Sequence, residues 1–219
     1  MEIDFWQQRW QNDQTGFHLP EVNECLLRYW PEITQQAAAS SSVFVPLCGK
    51  SLDLIWLASQ SASVLGVECS EKAVKAFFAE QQLEMKVGTV NDFNACSAAN
   101  ITLYQGDFFA LDKDMLSSSS LVYDRASLVA LPEAMRQQYV EKLADTLPEA
   151  ASILLITLEY NQQLMSGPPF SVTDNEVLQL YKPFFNIERL AERDIIDNEQ
   201  GFKGKGLDYL FERVYKISR

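Results

Sequence analysis

A handful of residues in this chain have both the type and the position for chemistry. Five apolar runs end on turn, polar or charged residues. The first runs into Leu47–Gly49, the second ends at Glu68 and the third at Gly106-Asp107; the fourth ends at Asp124-Arg125 and the fifth at Glu159-Tyr160. Glu68 lies nineteen residues after Gly49. An acid about 20 residues past the first glycine-containing turn, at the end of a second strand, commonly accepts hydrogen bonds from ribose hydroxyls. A carboxylate suits that work because it can accept two hydroxyls at once. The same residue also reads as a solvated strand-end acid. Arg125 offers a planar cation that matches planar anions, or a simple ion pair with Asp124.

The turn itself reads VFVPLCGKSLD over Val43–Asp53. It lacks the GxGxxG spacing that brings backbone close to a pyrophosphate. It is not GxxxxGK[ST] either, because Phe44 stands where the first glycine would be. Only Gly49 can open the backbone, so a nucleoside without phosphates fits better than a phosphate chain. An adenosyl ligand with a cationic sulfonium would also suit an acidic protein. Cys48 has no cysteine or histidine near it in sequence to activate it, so it reads as a bystander. His18, the sole histidine, is not at a strand end and reads as a structural residue. The four cysteines Cys25, Cys48, Cys69 and Cys96 are widely spaced, with no CxxC. That argues for reduced thiols and against a zinc site or disulfide framework.

These residues need elements to hold them. Val43–Leu47, Ser63–Glu68, Ile101–Tyr104, Ser120–Tyr123 and Ile153–Leu158 are apolar runs of strand length. Helical spacing intervenes over Ser51–Gln60, and over Glu71–Gln82 behind a capping Ser70. Pro132 opens a helix to about Leu147, and Thr173–Glu176 has a capping-box pattern. Phe185–Arg193 and Leu207–Ile217 read as two final strands that face each other. The serine clusters 40–42 and 117–120 and the Gly167-Pro168-Pro169 stretch read as loops. Alternating strands and helices argue for an α/β fold with a mostly parallel sheet. Ligands then sit at the carboxyl ends of the strands.

The chain has 219 residues, enough for one domain with a full core. A net charge of −12 opposes nucleic acid and anionic membrane as partners. No apolar run reaches the ~18 residues of a membrane span. The N-terminus lacks a basic region followed by an apolar core, so a cytoplasmic protein is expected.

Six blocks in order carry a resemblance: FWQQRWQNDQTGFH (Phe5–His18), VFVPLCGKSLDLIWLA (Val43–Ala58), VLGVECSEKAV (Val64–Val74), YDRASLVALP (Tyr123–Pro132), GPPFSV (Gly167–Val172) and GLDYLFERVYKI (Gly206–Ile217). Together they resemble the thiopurine S-methyltransferases, most closely the short bacterial members. The resemblance implies a Rossmann-like class I methyltransferase fold, a seven-stranded mostly parallel sheet with one antiparallel strand and helices on both faces. It implies S-adenosyl-L-methionine as methyl donor and S-adenosyl-L-homocysteine as product. By the same resemblance, Trp10 helps cover the cofactor, Leu47 and Gly49 lie beside it, and Glu68 is the ribose acid. Asp107 and Phe108 flank the adenine, Phe17 faces the acceptor, and Arg125 sits between the methionine end and the acceptor.

Methyl transfer from a sulfonium is an in-line displacement. The enzyme's task is to hold the reacting atoms dry and at roughly 3–3.5 Å contact. A heteroaromatic thiol ionises readily, so no dedicated base is expected; Arg125 would favour the thiolate. The aromatics Phe5, Trp6, Trp10 and Phe17 suit a lid over residues 1–20, with Trp6 packing and the latter two facing ligand. Lys203 or Lys205 is a candidate second cation for the acceptor. The expected acceptor is a small thiol such as 6-mercaptopurine, or alternatively a selenium or tellurium species, acted on by a monomer.

Overall fold

The computed structural model describes residues 3–35, 37 and 41–219. Ser40 of the first serine cluster and the first two residues of the expected lid lie outside the described residues.

Two helices open the described chain: α1 (Ile3–Gln11) and α2 (Glu24–Thr34). The Asn23 side chain accepts from the Cys25 and Leu26 amides and so caps α2. Strands and helices then alternate as β1 (Ser42–Val45), α3 (Asp53–Gln60), β2 (Ser63–Glu68) and α4 (Glu71–Glu80). The hydroxyl of Ser70 accepts from the Ala73 amide and starts α4 as its sequence predicts. A hairpin follows, β3 (Lys86–Val90) and β4 (Phe93–Ala98), then β5 (Ile101–Gln105) and β6 (Leu121–Arg125). Helix α5 (Glu133–Thr146), strand β7 (Ser152–Glu159) and helix α6 (Asp174–Tyr181) precede β8 (Asn186–Asp194), the short helix α7 (Gln200–Lys203) and β9 (Phe211–Ser218). Only half of the capping box at α6 forms. Thr173 Oγ1 accepts from the Glu176 amide, but the Glu176 carboxylate turns away to Arg136 at 2.5 Å.

One sheet orders the strands β3-β4-β5-β2-β1-β6-β7-β9-β8. It has nine strands where seven were expected, and two of them, β4 and β9, run against the rest. The additions are the β3–β4 hairpin, which pairs Val90 with Phe93 across Asn91-Asp92 and extends the sheet beyond β5. Asn91 takes a left-handed φ of 50° there, as a tight hairpin turn favours.

Strand alternation sorts the core onto two faces. Val43, Val45, Tyr123, Leu154 and Ile156 meet Leu26 and Trp30 of α2, Leu54 of α3 and Phe77 of α4. Phe44, Val122, Ile153 and Leu155 meet Tyr139 and Leu143 of α5 and Val177 of α6. With both faces covered, the central strands read as continuous apolar runs rather than alternating ones. The carboxyl ends of β1, β2, β5 and β6 are left to converge at one edge of this sandwich.

Candidate functional site

The turn after β1 is held in an unusual shape. Leu47 and Gly49 both adopt positive φ, 44° and 55°, and Ala126 after β6 does the same at 63°. Glycine takes this region without cost, whereas leucine and alanine are strained in it. Hydrogen bonds hold the strain in place. Ser127 Oγ donates to the Pro46 carbonyl at 2.7 Å, and the Cys48 amide donates to the Val67 carbonyl at 3.0 Å. The turns after β1 and β6 are thereby fastened to each other and to β2.

Glu68 stands at the centre of this arrangement. Its Oε2 accepts from the Gly49 amide at 3.0 Å and its Oε1 from the Ser70 amide at 2.7 Å. The carboxyl is only 5 % exposed. Burial pushes its pKa up, and the amide and thiol donors from Ser70, Cys69 and Gly49 pull it back. A carboxylate has about four acceptor sites; with the Cys69 thiol donating to Oε1 at 3.4 Å, these contacts leave only part of that capacity for hydroxyl donors. The reading of Glu68 as a solvated strand-end acid does not hold.

Two cavities adjoin here and share Trp10, Phe17, Leu47 and Ala126 as a common wall. One is lined further by Trp6, Glu68, Cys69 and Ala130. The other reaches past Gly49 to His18, Asp53, Tyr123 and Arg125. The aromatic side chains of the N-terminal segment pack edge to face: Trp6 on Phe17 at 5.8 Å and Trp10 on Phe17 at 5.4 Å between centroids. Trp10 is buried at 4 % exposure, over Gly49. Trp6 was expected only to pack, yet it also lines a cavity. Lys72 of α4 tethers the segment through the Gln11 carbonyl and the Asp13 carboxylate.

Arg125 lines the second of these cavities, and its side chain has no hydrogen-bond or ion-pair partner among the described residues. It does not pair with Asp124. That carboxyl is fully buried and accepts from Tyr139 Oη at 2.6 Å and the Leu128 amide at 3.2 Å. Burial raises it to about 6, against the pull of those donors.

Other expected residues fall elsewhere. Asp107 Oδ1 accepts from the Phe109 amide and caps a short turn after β5. Phe108, 3 % exposed, packs between Phe44 and Tyr139 in the core and lines neither cavity. Lys203 pairs with Asp197 at 2.7 Å, and Lys205 Nζ lies 3.3 Å from Met165 Sδ and over the Phe202 ring; neither lines a cavity. Glu159 is engaged by Arg213, and Tyr160 Oη donates to the Pro169 carbonyl, which fixes the 167–171 loop. Cys48 is buried, and burial holds its thiol well above the ordinary range. His18 is the residue that sequence spacing passed over: it reaches the cavity lined by Arg125 although it belongs to no strand. Its position depends on how the N-terminal segment docks, which no local pattern encodes.

The arrangement thus offers a buried acid for a diol, an uncommitted guanidinium, and aromatic side chains that shut out water. A cationic adenosyl group fits this chemistry. Glu68 keeps acceptor capacity, and the left-handed backbone at Leu47 and Gly49 leaves no side chain between the turn and the cavity at Gly49.

Comparison with known proteins agrees. The sequence profile of the family described as Thiopurine S-methyltransferase matches residues 1–219. A Pseudomonas fluorescens protein named thiopurine S-methyltransferase is 47 % identical over 219 residues, covering 100 % of this chain and 98 % of that one. A Shewanella woodyi protein of the same name is 44 % identical over 223 residues, covering 100 % and 99 %. Among solved structures, a SAM-dependent methyltransferase from Anabaena variabilis superposes with a TM-score of 0.63 at 15 % identity, covering 98 % of this chain and 94 % of that one.

Proposed function

This chain belongs to the thiopurine S-methyltransferase family, and on that premise we propose that it methylates the sulfur of aromatic or heterocyclic thiols such as 6-mercaptopurine. S-adenosyl-L-methionine supplies the methyl group, carried on a sulfonium that is already an excellent leaving group. The chain's own residues bind, align and dry the reactants. Glu68 receives the ribose hydroxyls on its free lone pairs. Leu47 and Gly49 present backbone to the cofactor, and Trp10 closes over it. Asp107, fixed by its own cap, sets the adenine end. Phe108 acts there through the core packing of the same turn. Phe17 covers the acceptor, and Arg125 holds it as the thiolate.

The observation that carries this reading is the uncommitted Arg125 in a mostly apolar cavity that adjoins the one lined by Glu68. A guanidinium with no partner of its own is available to a planar anion. We read the chain as one catalytic domain in which residues 1–20 act as a lid. The reading further takes it as a cytoplasmic monomer acting on small molecules; no helix among the described residues is long and apolar enough to cross a membrane. Incubation with methyl-labelled cofactor and 6-mercaptopurine should yield the labelled thioether. A panel that adds selenium and tellurium oxyanions ranks the acceptors. No transfer to any sulfur acceptor would sink the proposal.

A further inference from the structure

Arg125 can stabilise a thiolate but cannot make one, since a guanidinium stays protonated near neutral pH and has no lone pair to take a proton. Acceptors less acidic than a heteroaromatic thiol therefore need a group that takes the proton. The wall of the cavity lined by Arg125 holds few groups of that kind. Tyr123 is buried and donates to Asp53 Oδ2 at 3.0 Å, and burial keeps its proton bound. Cys48 keeps its proton for the same reason. Asp53 is 1 % exposed and engaged twice, by Tyr123 and by the Asn23 amide at 2.8 Å. Lys50 is ion-paired to Glu80 at 2.5 Å.

His18 differs from all of these. Its backbone is fixed, with the amide donating to the Thr15 carbonyl at 2.8 Å. Its imidazole has no hydrogen-bond partner among the described residues, although the ring is half-buried and lines the cavity beside Phe17 and Arg125. We infer that His18 is the proton acceptor for weakly acidic thiols in the methyl transfer proposed above, on which this inference rests. Charged groups face it from every side: Lys50 after β1, Asp53 at the start of α3, Glu80 at the end of α4 and Arg125 at the end of β6. Burial, then Lys50 and Arg125, favour the neutral ring, and outweigh Glu80 and Asp53, which favour the cation. The ring therefore stays neutral and basic at pH 7.

The step balances simply. The acceptor S–H bond breaks and its proton passes to the imidazole nitrogen. The sulfur lone pair forms the new S–CH₃ bond while the methyl–sulfonium bond breaks and its electron pair stays on the departing sulfur. Both sulfurs end neutral, and the imidazolium returns its proton to water. Arg125 and His18 thereby divide the work: one cation holds the thiolate, and one neutral base generates it when the acceptor does not arrive ionised.

The test uses the full chain with His18→Gln and His18→Asn, and two aromatic thiols, one ionised at pH 7.5 and one that keeps its proton at that pH. Cofactor affinity by calorimetry and the melting temperature check that each variant is intact. The expected result is a loss in kcat/KM for the weak thiol about 10²-fold or more beyond any loss for the acidic one. In the wild type, kcat/KM for the weak thiol should fall on acidification with a pKa below 6.5, the ordinary value for histidine, whereas the acidic thiol should follow its own ionisation. That profile needs no variant to fold. Equal losses on both thiols, no loss on either, no acid limb, or a wild type that methylates only the acidic thiol would each overturn the role of His18. A wild type that methylates neither thiol overturns the methyl-transfer reading as well.

Discussion

Glu68 ends β2 and faces the turn after β1. Spacing after Gly49 made that placement legible, because the distance from first turn to second strand end follows from strand and helix lengths; the ribose role belongs to the proposed function. The hydrogen bond from the Gly49 amide was not legible, because it depends on how two turns face each other. The consequence is a graded pair of outcomes. Glu68→Gln keeps one acceptor oxygen and should weaken the cofactor about ten- to hundredfold in calorimetry, as expected when a charge-assisted bond becomes a neutral one. Glu68→Ala leaves two buried amides unpaired, at about 1–3 kcal/mol each, so its urea midpoint should fall as well. Asp124 gives a second residue-scale outcome. Burial raises its folded pKa from 3.8 to about 6. Below the unfolded pKa both states are protonated. As pH rises through the folded pKa, only the unfolded state has already released its proton, and the favourable contribution is lost. The stability of the wild type minus that of Asp124→Asn should therefore decline between about pH 4 and pH 6, by no more than about 3 kcal/mol. A difference that stays flat in urea titrations would refute the raised value.

At the scale of elements, the strands with both faces buried were readable and the exposed hairpin was not. β1, β2, β5, β6 and β7 announce themselves as apolar runs because helices cover both sides. Every residue of β3 is exposed, so Lys86–Val90 carries no burial period to detect. The N-terminal segment was legible as aromatic cover, but not the docking that sends Trp6, Trp10, Phe17 and His18 to particular walls. Its fit to the first turn has a measurable tolerance. A Cβ added to Gly49 would sit 3.1 Å from Trp10 Cζ2, at a φ that costs a side chain about 1–2 kcal/mol. Gly49→Ala should lower the melting temperature and also loosen the cofactor, because Trp10 must shift. Gly16→Ala, in the same segment with open space around it, is the control and should do neither. Equal behaviour of the two variants would mean that Trp10 is not seated by Gly49.

For the whole molecule, the net charge of −12 surrounds a site to which the proposed function assigns one cationic and one anionic reactant. S-adenosyl-L-methionine carries a net positive charge and S-adenosyl-L-homocysteine none. Salt should therefore weaken the donor relative to the product. Raising ionic strength from about 0.01 M to about 0.15 M shortens the screening length from about 30 Å to about 8 Å. The ratio of donor to product Kd should climb over that range by a few-fold, and an unchanged ratio would show that the distant charges are irrelevant. The sheet order has a different consequence, one of time. β9 lies between β7 and β8 yet follows both in the chain. A ribosome delivers β8 before the strand that must separate it from β7, so for an interval β8 has no neighbour and β7 has an open edge. Parallel pairing of β8 directly on β7 is thus the wrong turn that the nascent chain must resist until its last strand arrives.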